Sequence, residues 1–440
     1  MKANKTNPAL SGSLLNFVKV SGKTLSERYS PFNDWVQARR DLGVWHYSRV
    51  LFSPALHQTC IANEFGLKPT EGINFASQDY LGLTYRQELR DAAHAVIDQY
   101  GVHSAGSPAL CGRTEHLLTL ENKLTRLVGH EDCIIYATGW MAGFGVITGL
   151  VRDTDTIMID ALSHNCLHEG AKHATSNVQK FTHNDMDQLA DKLRNERVQY
   201  AERGIFIVVE SLYSMDSDSP DLKTIVALAQ RYEAIVILDV AHDFGAIGKQ
   251  GLGLLEQLSP EERKSLVVIG SFSKTFAANG GFVLCSNEVR NYLRFHSASN
   301  IFSNAISPMQ TAVVNQACDL VFSAEGQVLR GKLLTNIKSL RDAMTINGLL
   351  VSGEPSPIVP VFTQGKTEDE ALARLTSKNM LLNGLHANLV EFPAVPRGKA
   401  RFRFQVMATH EAEELKQAAE IMAASREAAM ANLQTYLGKC

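Results

Sequence analysis

The chain has 440 residues, enough for two or three domains around a large buried core. Apolar residues make up 45% and charged residues 20% of it, and the formal net charge is -3, so the composition gives no support for binding to nucleic acid. The 7 cysteines are scattered and form no CxxC pair, which predicts a cytoplasmic protein without a disulfide framework.

The first part of the chain, residues 1–73, is predicted to be a separate, helix-prone arm. Its start, MKANKTNPALSGSLLNFVKVSG, has no uninterrupted apolar run and no convincing cleavage site, so it does not resemble a secretion signal. A weak amphipathic helix in this arm is the one place where contact with a membrane, or with a partner subunit, is expected.

A segment further along, residues 133–151, could be mistaken for a membrane span. Its sequence, CIIYATGWMAGFGVITGLV, carries no charge and has two pairs of glycines at four-residue spacing, which suits a membrane helix. The β-branched run IIYAT favours a buried strand instead, and TGW favours a turn. We therefore predict a strand, a turn and a helix that packs closely on a sheet.

Strand-like and helix-like segments alternate between about residues 130 and 285, within a predicted large domain of residues 74–320. The strand candidates are CIIYAT, DTIMID, NVQKFT, GIFIVVE, AIVILDV and SLVVIGSF. Helical patterns lie between them, with caps expected at Ser163 and Asp221. This alternation predicts an α/β domain with a mostly parallel central sheet.

The remainder, residues 321–440, mixes helices with a few strands. It ends in a polar helical stretch, HEAEELKQAAEIMAASREAAMANLQTYL. We predict a smaller C-terminal α+β domain here.

Two candidate catalytic residues follow consecutive predicted strands. Asp239 ends the strand of ILDVAH, with His242 three residues later, and Lys274 lies 35 residues beyond Asp239 (274 − 239 = 35). Ligands of open α/β sheets bind beyond the carboxyl ends of the strands. A lysine that can form a Schiff base, next to an aspartate that can keep a pyridinium protonated, suits pyridoxal phosphate. The alternative at this spacing is an ordinary surface ion pair.

A phosphate group needs backbone N–H groups at a helix start with hydroxyls nearby. Gly139 and Trp140, in the TGW turn, offer the first, because glycine lets the backbone come close to a ligand. Ser271 and Ser273 offer the second.

Other chemistries have weaker signals. His164 and His168 have the i, i+4 spacing of a zinc site, but no third ligand and no HExxH base accompanies them, so no metal is expected. GKQGLG does not match GxGxxG, there is no GxxxxGK[ST], and Ser211 is not in a GxSxG elbow.

Eight stretches, in order over about residues 74–410, resemble one enzyme family. They are NFASQDYLGL, TGWMAGFGVI, DALSHNCLHEGA, FTHND, VVESLYSMDSDSPDL, ILDVAHDFGAIGKQGLG, GSFSKTFAANGGF and FPAVPRGKARFR. Together they are similar to the α-oxoamine synthases, pyridoxal-phosphate enzymes of fold type I that include serine palmitoyltransferase and aminooxononanoate synthase. SKTFA and the GW turn also resemble the long-chain aminoketone synthases that make bacterial quorum-sensing signals.

The resemblance implies roles around the cofactor ring. Lys274 would carry the cofactor and act as the base, and Asp239 would partner the pyridine nitrogen. His164 would stack on the ring face. His242, helped by Ser214, would hydrogen-bond the phenolic oxygen.

The resemblance also implies ligands for the phosphate and the substrate. Gly139, Trp140 and Ser271 would hold the phosphate, and Ser303 would reach the cofactor phosphate of the neighbouring subunit, since this family builds its sites across a homodimer. The substrate carboxylate would be bound by Gln78 and Arg403, and the second of these has the fork geometry for the task.

The implied reaction joins a small amino acid to an acyl thioester, carried on coenzyme A or a carrier protein, and releases CO2, free thiol and an α-aminoketone. Another fold type I enzyme, such as an aminotransferase or a retro-aldol lyase, would share Lys274 and Asp239. A catalytically silent partner subunit and a binding protein without cofactor are further alternatives.

Four positions depart from the family pattern. Gln78 replaces an asparagine, Val240 an acidic residue, Ser211 a glycine and Pro108 an arginine. The core chemistry is unaffected by these changes, but the amino acid and the acyl donor do not follow from the resemblance.

Overall fold

The computed structural model describes residues 7–63, 68–363 and 369–437, and the chain divides into two compact units. The large unit consists of Gln78–Ser214 and Asp218–Gly331, and the small unit of Met1–Ser77, Met215–Ser217 and Lys332–Cys440. The predicted division into 1–73, 74–320 and 321–440 differs from this, because the N-terminal residues group with the C-terminal ones.

The elements are numbered in chain order. The strands are β1 (Arg49–Leu51), β2 (Gln58–Asn63), β3 (Thr70–Phe75), β4 (Asp132–Tyr136), β5 (Thr156–Asp160), β6 (Val178–Phe181), β7 (Ile205–Glu210), β8 (Ile235–Asp239), β9 (Val267–Ser271), β10 (Gly281–Cys285), β11 (Leu350–Val351), β12 (Ile358–Phe362), β13 (Leu385–Val390) and β14 (Arg401–Gln405). The helices are α1 (Leu25–Leu42), α2 (Gln87–Tyr100), α3 (Glu115–Val128), α4 (Gly139–Leu150), α5 (Asn165–Ala174), α6 (Met186–Gln199), α7 (Leu222–Arg231), α8 (Pro260–Lys264), α9 (Asn287–His296), α10 (Ala298–Ile301), α11 (Pro308–Val321), α12 (Ala324–Ile346), α13 (Asp369–Leu382) and α14 (Ala412–Tyr436). Short 3-10 helices span Pro8–Leu10, Leu14–Phe17 and Gly253–Gln257.

The sheet of the large unit confirms the predicted α/β architecture. Its seven strands lie in the order β4-β10-β9-β8-β7-β5-β6. β9, β8, β7, β5 and β6 pair in parallel, whereas β10 runs antiparallel to both β9 and β4. All six strands predicted for this region are present, and β10 is the one that was not predicted. Every residue of β5, β7, β9 and β10 is buried, as expected for strands covered on both faces.

The uncharged segment 133–151 forms β4 and α4, as predicted. Thr138 caps α4, and its side chain accepts the Met141 N–H at 3.2 Å. A Cβ atom on Gly143 would lie 2.8 Å from the Sγ of Cys166, so the glycine lets α4 approach α5 closely. Within the described residues, no helix is long and apolar enough to cross a membrane.

The small unit is built from both ends of the chain. Its seven strands lie in the order β1-β2-β3-β13-β14-β12-β11, and β3 pairs in parallel with β13. One buried apolar cluster joins N-terminal to C-terminal side chains: Ala9, Leu10, Val44, Ala371, Leu372, Leu375, Ala429 and Leu433. The N-terminal residues are therefore part of this core, and the prediction of a separate arm is corrected.

A buried ion cluster reinforces this core. Glu391, only 3% exposed, lies 3.2 Å from Nη1 of Arg39 and 2.7 Å from Nε of Arg374. Arg374 also donates to the main-chain oxygens of Leu10 at 2.6 Å and Gly12 at 2.9 Å. Burial by itself raises the pKa of Glu391, but the neighbouring positive charges outweigh it and lower that pKa.

Candidate active site

The carboxyl ends of β7, β8 and β9 meet at one edge of the large sheet. β7 ends at Glu210 and β8 at Asp239, and these two residues lie opposite each other in register. β9 ends at Ser271, and Lys274 follows in the next loop. This edge is where open α/β sheets bind their ligands.

Asp239 and Lys274 interact electrostatically at this edge. Asp239 accepts the Ala241 N–H at 2.9 Å. Burial raises the pKa of its carboxyl, and the positive charges of Lys274 and His164 oppose that rise. Lys274 and His164 are thus each close enough to Asp239 for their charges to act on its carboxylate.

His242, in the turn after β8, is held by a residue that the sequence analysis missed. Its Nδ1 is 2.9 Å from the Oη of Tyr80, which is 0% exposed. The neighbouring Asp79 accepts the N–H groups of Leu83 and Thr84, each at 2.8 Å, and so fixes the turn that carries Tyr80. Tyr80 lies in the NFASQDYLGL motif, but nothing in the sequence links it to a histidine 162 residues away.

His164 begins helix α5. Its Nδ1 accepts the Cys166 N–H at 3.3 Å and lies 3.0 Å from the Sγ of the same residue. His164 is therefore the cap of this helix, and the prediction of Ser163 is corrected, whereas Asp221 caps α7 as predicted. His164 is an exposed residue at this edge of the sheet.

Glu210 is a second buried acid that was not assigned a role. It is 4% exposed, and its carboxylate accepts the backbone N–H of His164. Burial raises its pKa well above the usual range, the neighbouring charge of Asp239 raises it further, and Lys274 opposes both. Glu210 thus ties the loop that carries His164 to the end of β7.

The start of α4 approaches the end of β9 closely. A Cβ atom on Gly139 would lie 2.6 Å from Oγ of Ser271, so only glycine allows this approach. The hydroxyls of Ser271 and Ser273 are 2.7 Å apart. Free N–H groups of a helix start, next to two hydroxyls, form the donor set that a phosphate requires.

The remaining predicted site residues of the large unit are Trp140, Gln78, Ser214 and Ser303. Trp140 is 46% exposed and stacks on Phe144 at 5.0 Å between ring centroids. Gln78 and Ser214 are half-buried and lie at the two ends of the unit's first chain segment. Ser303 follows α10, and its Oγ donates to the main-chain oxygen of Asn304 at 3.4 Å.

Arg403, the predicted ligand of the substrate carboxylate, belongs to the small unit. It lies on β14, is 8% exposed, and its Nη1 is 3.7 Å from the Sδ of Met215. The neighbouring Arg401 of the same motif is paired with Asp216 at 2.6 Å. The first arginine of ARFR thus has an acidic partner within the protein, and the role of Arg403 stays a prediction.

A charged histidine joins three loops at the sheet edge. Nδ1 of His183 is 2.9 Å from Asp160, and its Nε2 is 2.9 Å from Asp218. Burial lowers the pKa of His183, but the two carboxylates outweigh it and raise that pKa to about 10. The FTHND motif contained this residue, but only the fold shows that it clamps the ends of β5 and β6 to the segment before α7.

The sequence predicts no metal ion in this protein. The residues that the structure describes include no group of three histidine, cysteine, aspartate or glutamate side chains placed to hold one.

Comparisons with known proteins agree with this arrangement. A family model for class I and II aminotransferases matches residues 70–422. A serine palmitoyltransferase from Sphingobacterium spiritivorum is 31% identical over 398 residues, which covers 90% of this chain and 96% of that protein. A putative 8-amino-7-oxononanoate synthase from Acaryochloris marina is 33% identical over 78% of this chain and 87% of its own length. The 2-amino-3-ketobutyrate coenzyme A ligase of Escherichia coli is 28% identical over 90% of this chain and 96% of its own length.

Solved structures show the same fold. The Sphingomonas wittichii serine palmitoyltransferase has a TM-score of 0.84 at 25% identity, covering 93% of this chain and 99% of that one. A serine palmitoyltransferase that contains pyridoxal phosphate as an internal aldimine also has a TM-score of 0.84, at 24% identity over 93% of this chain and 100% of that one.

Proposed function

Because this chain belongs to the α-oxoamine synthases of the class I and II aminotransferase family, we propose that it joins a small L-amino acid to an acyl thioester, with loss of CO2. The protein is a pyridoxal-phosphate-dependent acyltransferase, and its products are an α-aminoketone and a free thiol. The observation that carries this proposal is geometric: Asp239 ends β8 and Lys274 follows β9, the adjacent parallel strand, so both lie at the carboxyl edge of the sheet. The positive charge of Lys274 accordingly opposes the rise in the pKa of the Asp239 carboxyl.

The residues at this edge fit pyridoxal phosphate. Lys274 would hold its aldehyde carbon and Asp239 its ring nitrogen. The closely packed Gly139 and Ser271, with the N–H group of Trp140, would hold the phosphate. When bound, the cofactor supplies an electron sink for the carbanion formed at the amino acid Cα.

The side chains of the protein handle the protons. Lys274 Nζ would take the proton from the substrate Cα and return it after CO2 has left. Burial disfavours an ionised Asp239, and the positive charges of Lys274 and His164 counter this, so the carboxylate can accept a hydrogen bond from a cationic ring nitrogen.

Two histidines would orient the reacting groups. Tyr80 fixes the ring of His242 through Nδ1, which supports a role for His242, together with Ser214, in binding the phenolic oxygen. Glu210 fixes the backbone of His164, whose exposed ring would cover one face of the cofactor.

Arg403 and Gln78 are our candidates for the substrate carboxylate. The planar guanidinium of Arg403 can bind a carboxylate through two parallel hydrogen bonds, which suits this role.

We further propose a cytoplasmic homodimer in which Ser303 reaches the phosphate of the neighbouring site. Phe302, next to it in the chain, is 87% exposed, and Phe295 is 65% exposed. Large apolar side chains exposed on one segment are usually covered by a partner, which supports an interface there.

The test offers the purified, cofactor-loaded protein a panel of small amino acids and acyl thioesters. We expect thiol release that depends on both substrates, CO2 release, and an aminoketone in the mass spectrum of the products. A protein that transfers the amino group to an oxo acid, without releasing thiol, would instead be an aminotransferase. A protein that is colourless after incubation with pyridoxal phosphate and removal of the unbound cofactor would refute the proposal.

A further inference from the structure

Another buried acid, Asp243, lies in the turn after β8. It follows His242 in the chain and is 2% exposed. Its Oδ1 accepts a hydrogen bond from the Ser211 hydroxyl at 2.6 Å, and its Oδ2 accepts the Leu254 N–H at 2.7 Å. The roles proposed above make no use of this carboxylate.

Ser211 links Asp243 to the end of β8. Its hydroxyl has one hydrogen and two acceptors within reach: Oδ1 of Asp243 at 2.6 Å and the main-chain oxygen of Asp239 at 3.1 Å. Its own N–H donates to the same oxygen of Asp239 at 2.9 Å. Because a hydroxyl donates only once, the two acceptors compete for its hydrogen.

The packing around Asp243 leaves little room for change. Gly253 has φ +58°, and a Cβ atom there would overlap the Asp243 carboxylate. Ser211 is itself 0% exposed. Asp243 and Ser211 therefore have little room to move when Asp243 gains or loses a proton.

The electrostatics make this exchange accessible near neutral pH. The pKa of the Asp243 carboxyl is raised to about 7 as the net result of several effects. Burial raises it most, the hydrogen bonds from Ser211 and from the Leu254 N–H lower it, and the charge of Asp239 raises it. Asp239, which ends β8 shortly before Asp243 in the chain, is the source of that charge.

We infer that Asp243 and Ser211 form a proton-linked positioning pair for the end of β8. When Asp243 is ionised, it takes the hydrogen of the Ser211 hydroxyl. When Asp243 binds one proton, its own O–H donates to Ser211 Oγ, and the Ser211 hydroxyl donates to the main-chain oxygen of Asp239. The protonated state thus adds a hydrogen bond to Asp239 and removes a negative charge from its surroundings.

The consequence of this pair for catalysis rests on the proposed function, whereas the hydrogen-bond exchange does not. Coulomb interaction is mutual, so an ionised Asp243 disfavours the ionised form of Asp239. We therefore expect the activity of the loaded enzyme to change as Asp243 titrates.

The first test follows the carboxylic acid directly by infrared difference spectroscopy of the full chain between about pH 5 and pH 9. We expect a band of a buried, protonated carboxyl group that disappears near neutral pH. Since the carboxyl groups of Glu210, Asp239 and Asp79 also have raised pKa values, the band is assigned by its loss in Asp243→Asn. Asp243→Ser serves the same purpose if the first variant does not fold.

The second test changes the donor instead of the acid. Ser211→Ala removes a hydrogen bond to the ionised form, so the band should disappear at a pH higher by about one to two units. Ser286→Ala, which removes a partly exposed helix cap elsewhere in the large unit, should leave the transition where it is. A band that is absent throughout, or one that does not move in Ser211→Ala, would overturn the pair.

A third measurement separates this inference from the proposed function. In the loaded enzyme, we expect the visible absorption of the cofactor and the profile of kcat/KM against pH to lose a transition near neutral pH in Asp243→Asn. If the infrared band behaves as expected but both profiles are unchanged, the positioning role is wrong. If no cofactor binds, the proposed function fails, and the shift in Ser211→Ala still decides whether the hydrogen-bond exchange exists.

Discussion

Two clusters of carboxylates in this protein differ in whether nearby positive charge outweighs the effect of burial on their pKa values. In the small unit, two arginines hold Glu391, and its pKa is lowered although burial alone would raise it. In the large unit, burial raises the pKa of both Glu210 and Asp239, and Lys274 opposes the rise without cancelling it.

The difference separates a structural cluster from a chemical one. A carboxylate surrounded by arginines has its negative charge fully compensated, and its contribution is to join segments of the chain. A group of buried acids with too little positive charge is costly to the fold, and such groups concentrate where a ligand supplies the missing charge. A cationic pyridine nitrogen against Asp239 would supply it here.

Removal of the lysine gives the largest expected effect. Lys274→Ala should lower the rate of condensation by more than the roughly 10²–10⁴-fold typical of a positioned proton-transfer group, because the covalent link to the cofactor is lost as well. The measurement is amino-acid-dependent thiol release, with Lys264→Ala, an exposed position, as the control. A Lys274→Ala protein that turns over at a similar rate would refute the assignment.

A change in the arginine-paired cluster around Glu391 should lower the stability of the fold. Glu391→Gln leaves Arg39 and Arg374 buried with a weakened partner, which should cost about 3–5 kcal/mol in the free energy of unfolding. Urea denaturation measures this loss, and Glu169→Gln, which breaks an exposed pair with Lys172, is the matched control. Equal losses in the two variants would mean that the buried cluster is not structural.

Substitution of His183 tests whether its ion pairs with Asp160 and Asp218 also stabilise the edge of the sheet that carries the proposed site. The pKa of His183 is raised to about 10, so its stabilising effect is complete below the pKa of an unfolded histidine, about 6.5, and is lost as pH rises through about 10. The difference in unfolding free energy between wild type and His183→Gln should therefore shrink over that range. A difference that stays constant with pH would contradict a charged clamp.

Loss of one hydrogen bond at the site should give the smallest effect. Tyr80→Phe removes the contact between Oη and Nδ1 of His242, worth about 0.5–1.5 kcal/mol, which corresponds to a several-fold loss of kcat/KM. Tyr85→Phe, at a 50% exposed position, is the control. An unchanged kcat/KM in Tyr80→Phe would show that Tyr80 does not orient His242.

The missed elements have identifiable physical causes. β10, FVLC preceded by a glycine pair, is short, and nothing in its pattern shows that it pairs antiparallel between β4 and β9. The prediction of an N-terminal arm was wrong because β3 pairs with β13, more than three hundred residues later, and local sequence carries no record of such a partner. The cap of α5 shifted by one residue because a histidine ring took the role expected of a serine.

The sequence by itself determined the alternation of strands and helices, the lysine and aspartate at consecutive strand ends, and the family. These follow from local periodicity and from short motifs, which the order of residues records directly. Only the tertiary structure decided that Tyr80 holds His242, that Glu210 holds His164, and that Ser211 joins Asp243 to the end of β8. Such contacts, and the pKa shifts that come with them, depend on burial and on distances between parts of the chain that are far apart in sequence.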